Sequence, residues 1–86
     1  MELIDTVGMM TSKDYKERFV AEYLQTKIRY TKLHKMIVSY DAGTLGFEPN
    51  CSLQLLKEQA SAMGNYLYRL EVRACVEGID LTQWKF

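Results

Sequence analysis

The chain has 86 residues, 48% hydrophobic and 26% charged, which is enough for one small domain and no more. Eleven basic and eleven acidic side chains cancel, and this argues against a general nucleic-acid binder, which carries a basic excess. No apolar run approaches the roughly 18 residues of a membrane span.

Residues 1–11 are expected as an N-terminal arm. The first ten, "MELIDTVGMM", carry acids and no Lys or Arg. A secretory leader needs the opposite, so the expectation is a cytoplasmic protein.

A first helix is predicted over 12–40. Steps of four and three from Phe19 give Tyr23, Thr26, Tyr30, Leu33, Ile37 and Tyr40, an apolar seam of three heptads. Thr11 or Ser12 can cap its start, with Asp14 and Glu17 in the first turn. The stretch "DAGTLGFEPNCS" follows, and residues 41–51 are predicted as a corner. Gly43 and Gly46 there are expected to take unusual dihedrals, and Pro49 to stop the chain before the next helix. Leu45 and Phe47 are expected to plug the open end between the helices.

The second helix is predicted over 52–77, with Leu53, Leu56, Ala60, Met63, Leu67, Leu70 and Ala74 as its seam. Gly78 followed by Ile79 has the pattern of a Schellman stop. Gly64 costs roughly 1 kcal/mol relative to Ala and can allow close helix approach. Residues 78–86 form a C-terminal tail. The first seam is bulky and aromatic, the second Leu, Met and Ala, so knobs on one meet small positions on the other. The fold expected is all-α, a single domain of two antiparallel helices in a hairpin.

Each helix also carries a second apolar stripe: Val20, Leu24, Ile28, Thr31 and Val38 on the first, and Leu55, Ala62, Tyr66 and Val76 on the second. Either the terminal segments fold over these stripes or a second copy covers them. The tails are short against helices of about 40 Å, so the expectation is a helical homo-oligomer, a common need of small scaffolds.

Cys51 and Cys75 are 24 residues apart on one predicted helix, about 36 Å, while a disulfide needs Cα atoms within about 7 Å. They are expected as two free thiols, Cys51 near a helix start and Cys75 packed. His34 is the only histidine, so no zinc constellation is present, and Cys51 has no other candidate base. No cofactor, metal site or catalytic group is expected, and the protein is expected not to be an enzyme.

Charge is uneven along the chain. The run "KIRYTKLHK" carries Lys27, Arg29, Lys32 and Lys35 without an acid. One reading is a solvated face complementing the C-terminal half of the helix. The other is an anion site, with these cations on phosphate and Tyr30 or Tyr23 stacking on a base.

The blocks "DYKERFVAEYLQTKIRYTKL" and "YDAGTLGFEPNCSLQLLKEQASAMGNYLYRLEVRACVEGIDL" resemble short phage and prophage proteins related to a crAss-like phage gene product. The shared pattern is D-Y-x-x-R, a long helix, a D-x-G-x-L-x-F corner, a Cys, L-L-x-E-Q, A-M, Y-L and a closing E-G-I-x-L, over residues 14–81. The chain departs from it at Ser52, Thr26 and Tyr30. The resemblance implies a phage accessory protein in the cytoplasm of an infected bacterium and carries no assigned chemistry. Phages use small helical oligomers as sponges for nucleotide immune signals. By that analogy the chain is expected to sequester a cyclic dinucleotide or an ADP-ribose-type signal. The alternative is a protein–protein interaction module that inhibits or bridges a host or phage protein.

Overall fold

A computed structural model of the protein describes residues 1–82. Among them every regular element is helical: a 3-10 turn Leu3–Thr6, α1 (Val7–Met10), α2 (Tyr15–Asp41) and α3 (Leu53–Glu77). The two long helices set the 43 Å long axis of the molecule.

Each long helix starts and stops where its sequence supplies the missing partners. Asp14, not Thr11 or Ser12, caps α2; its carboxylate accepts from the Lys16 amide at 3.0 Å. Such a cap contributes about 1 kcal/mol. At the far end Gly43 sits at φ 74°, and the Thr44 amide donates to the Ser39 carbonyl at 2.9 Å. Ser52 caps α3, accepting from the Leu55 amide at 3.2 Å. Gly78, at φ 71°, ends it, and the Ile79 amide donates to the Ala74 carbonyl at 2.8 Å. Ile79 is thereby turned into the core. Gly46 lies outside the left-handed region, so one corner glycine makes the turn that two were expected to share.

Contacts between α2 and α3 run in opposite chain order: Tyr15 with Arg73, Tyr23 with Glu71, Asp41 with Lys57. The helices are antiparallel across these pairs. The α3 seam faces inward along its whole length, with Leu67, Leu70 and Ala74 buried. The α2 seam is graded. Phe19, Tyr23 and Ile37 are buried, Thr26, Tyr30 and Leu33 half-buried, and Tyr40 exposed.

The core is concentrated at one end. Phe19, Val20, Tyr23 and Leu24 meet Leu67, Leu70, Ala74 and Ile79 there, with Met9, Tyr30 and Leu81 packed alongside. Both termini explain this asymmetry, because the arm and the start of the tail add apolar side chains where α2 begins and α3 ends. The corner end is thinner: Phe47 is 61% exposed, so it does not plug the hairpin as expected.

The N-terminal arm corrects the expectation that both second stripes stay open. It packs on α2, where Val20, Leu24 and Ile28 are buried while Thr31 and Val38 of the same stripe stay exposed. Thr6 anchors it. This fully buried hydroxyl donates to the Leu3 carbonyl at 2.7 Å and accepts from the Gln25 side-chain amide at 2.9 Å. Both sides of the buried polar group are satisfied. Among the described residues the arm's backbone runs along α2 and not α3, although Met9 packs against the core that both long helices form. Leu55 and Val76 therefore stay exposed. Tyr66 leans back toward α2, its hydroxyl donating to Glu22. Residues 83–86, the end of the predicted tail, lie outside the described residues.

Candidate functional site

The basic run on α2 does not converge on one pocket within the chain. Residues two apart on a helix fall on different faces, so Lys27, half-buried, and Arg29, exposed, are directed apart. Lys32 pairs with Glu2 of the arm at 3.5 Å, an exposed contact contributing little. Lys35 is exposed. Lys32 borders a shallow groove of about 130 Å³ with Met1, Ile28 and Thr31.

The two aromatic candidates face inward. Tyr23 is 7% exposed and its hydroxyl donates to a Glu71 carboxylate oxygen at 2.7 Å. Burial first, then the Glu71 carboxylate, pushes its pKa up to about 12. Tyr30 lies across Gly64, where a Cβ would meet the ring at an ordinary 3.5 Å. The Tyr30 ring also stacks on His34, ring centres 5.8 Å apart.

Cations and an aromatic ring do converge on α3. Tyr68, Arg69, Val72 and Arg73 line a groove of about 350 Å³. Positions three and four apart share a helix face, which groups these residues. Arg73 is held in place. It donates to the Tyr15 hydroxyl at 2.8 Å, pairs with Glu77 at 3.4 Å, and lies over the Phe19 ring at 4.9 Å. A guanidinium has five N–H donors, so these contacts orient Arg73 without exhausting it. Arg69 is exposed and has no ion-pair partner among the described residues. Two arginines one turn apart suit bidentate contact with phosphate oxygens. Tyr68, 66% exposed, supplies a flat apolar surface beside them.

The sequence carried this signal in "YRLEVR", where Arg69 and Arg73 are spaced i, i+4. A third groove, about 210 Å³, is lined by Asp14, Glu17 and Asp80 with Lys16. Hydrogen bonds from the Thr82 hydroxyl and amide hold the Asp80 carboxyl below its usual range. That groove disfavours an anion. Cys51 and Cys75 are both free thiols and both exposed, so Cys75 is not packed as expected. No helix among the described residues is long and apolar enough to cross a membrane.

A protein-family model described as Sequestin matches residues 13–75, from just before α2 to the last turn of α3. No curated protein and no solved structure matches the chain. The family match spans well over half of the sequence, and the chain belongs to the Sequestin family.

Proposed function

We propose that the chain is a non-enzymatic protein that binds a small anionic, nucleotide-type signal and keeps it from its receptor. Membership of a family named for sequestration, matched across both long helices, carries this reading. The phage resemblance supports a setting in the cytoplasm of an infected bacterium, where such a protein counters defence signalling. A cyclic dinucleotide and an ADP-ribose-type molecule both combine phosphate with an aromatic base. The α3 groove offers a matching combination, Arg69 and Arg73 for phosphate and Tyr68 for the base. Sequestration needs affinity and no chemical step, so these residues act by holding the ligand. Lys27, Arg29, Lys32 and Lys35 on α2 supply long-range attraction for an anion rather than the contacts themselves.

A second reading is a protein–protein interaction module. The exposure of Leu55 and Val76, at 53% and 81%, favours it, because apolar side chains left open along one helix face suit a protein partner.

Thermal unfolding against a panel of cyclic dinucleotides, ADP-ribose and unrelated anions separates the two. A ligand at 100 times its dissociation constant adds about 2.7 kcal/mol. In a domain of this size that raises Tm by roughly 10–20 °C. A panel that leaves Tm unchanged overturns the signal-binding reading in favour of the protein partner.

A further inference from the structure

The two arginines of the α3 groove are held differently. Arg69 is exposed and has no ion-pair partner among the described residues. Arg73 is gripped from three sides. Its Nη2 donates to the Tyr15 hydroxyl at 2.8 Å, its Nε donates to a Glu77 carboxylate oxygen at 3.4 Å, and its guanidinium lies over the Phe19 ring at 4.9 Å. Tyr15 and Phe19 belong to α2, not to the helix that lines the groove. Phe19 is buried in the core, and the Tyr15 ring is braced on it with ring centres 6.3 Å apart.

These contacts use Nε–H and one Nη2 hydrogen. The Nη1 hydrogens and the other on Nη2 remain, and they form the forked end that phosphate oxygens accept from. A mobile arginine loses rotamer freedom when it binds, which weakens affinity by about two- to tenfold. Arg73 has lost that freedom already, on folding. Glu77 is a poor candidate for this fixing role. An exposed pair one turn apart contributes little, and its carboxylate opposes an incoming anion. Tyr15 carries no charge, so its hydroxyl orients the guanidinium without neutralising it.

We infer that Tyr15 is a positioning residue of the α3 site, setting the Arg73 fork from α2, while Glu77 competes with the ligand for Arg73. This rests on the signal-binding reading and adds to it two residues that do not line the groove. Affinity then depends on α2 being docked on α3, although the contacts to ligand come from α3 alone.

The test is a double-mutant cycle by calorimetry on the full chain, with ADP-ribose, a cyclic dinucleotide and inorganic pyrophosphate as probes. Tyr15→Phe keeps the ring and, at a position 48% exposed, should keep the helical circular dichroism. It should weaken binding about two- to tenfold. That loss should vanish in an Arg73→Ala background, where the hydroxyl has nothing left to set. Glu77→Gln should tighten binding by up to about fivefold. A hydroxyl that served the fold alone would lower Tm in both backgrounds and leave affinity unmoved. Wild-type affinity in Tyr15→Phe, or an equal loss with and without Arg73, overturns the positioning role and leaves signal binding standing. Unchanged or weaker binding by Glu77→Gln overturns the competition. Failure of wild type to bind any of the three probes overturns both the inference and the reading beneath it.

Discussion

Replacing Tyr23 by phenylalanine tests whether this ring belongs to the core or to a ligand. Its hydroxyl donates to Glu71 at 2.7 Å, and its pKa is raised from 10.0 to about 12. The folded state therefore holds this proton more tightly than the unfolded state. The stabilisation is complete below pH 10 and is lost as pH rises from 10 through about 12. Every tenfold gain in proton affinity corresponds to about 1.4 kcal/mol. Glu71 is only half-buried and regains water when the hydroxyl is removed, so the net effect is on the order of 1–2 kcal/mol. At a urea slope of about 1 kcal/mol per molar, the Tyr23→Phe midpoint at neutral pH should fall by roughly 1–2 M. Wild type should lose this advantage over the variant between pH 10 and 12. Ligand affinity should be unchanged wherever the variant is folded. Equal midpoints at neutral pH, or a difference independent of pH up to 12, would refute the linkage between Tyr23 and Glu71.

Three further outcomes follow from the packing. Gly64→Ala should raise stability by about 0.5–1 kcal/mol in urea unfolding, because alanine favours the helix and its Cβ meets Tyr30 at an ordinary 3.5 Å. Leu70, 1% exposed, should cost about 2–5 kcal/mol when changed to Ala, whereas half-buried Leu33 should cost no more than about 2 kcal/mol; equal losses in chemical denaturation would contradict the graded α2 seam. Deleting residues 1–11 should uncover α2 around Gln25 and Ile28 and lower Tm measurably by circular dichroism, since the arm packs there.

The long helices were legible because several signals coincided. Seams in steps of three and four, the Gly78–Ile79 stop and the glycine-bearing corner all pointed to the same elements, and Ile79 folds inward as its motif implies. The arm was less legible. Its docking depends on one buried threonine meeting Gln25, 19 residues away, and no local period encodes that meeting. Phe47 shows the converse: an aromatic residue in a corner was expected to find a core, but the core gathers at the opposite end with the termini. Four cations in nine residues stand out on α2; helical geometry sets Lys27 apart from Arg29, keeps Arg29, Lys32 and Lys35 at steps of three, and places Tyr23 and Tyr30 in or against the core. Arg69 and Arg73 are fewer and better placed, since one turn of helix sets them side by side and Tyr15 and Phe19 fix one of them. Which face would be left open depended on where the arm docks.

The most direct test is calorimetric titration of wild type, Arg69→Ala and Arg29→Ala with the ligand that stabilises the protein most. Charge-assisted hydrogen bonds contribute about 1.5–3 kcal/mol, so Arg69→Ala should weaken binding about tenfold to a hundredfold with the fold intact. Arg29→Ala, on α2 and outside the groove, should stay within about twofold of wild type, as befits long-range attraction alone. Loss of affinity in Arg29→Ala with Arg69→Ala unaffected would contradict the placement of the site on α3, and wild type that binds no phosphate-bearing aromatic ligand would contradict sequestration itself.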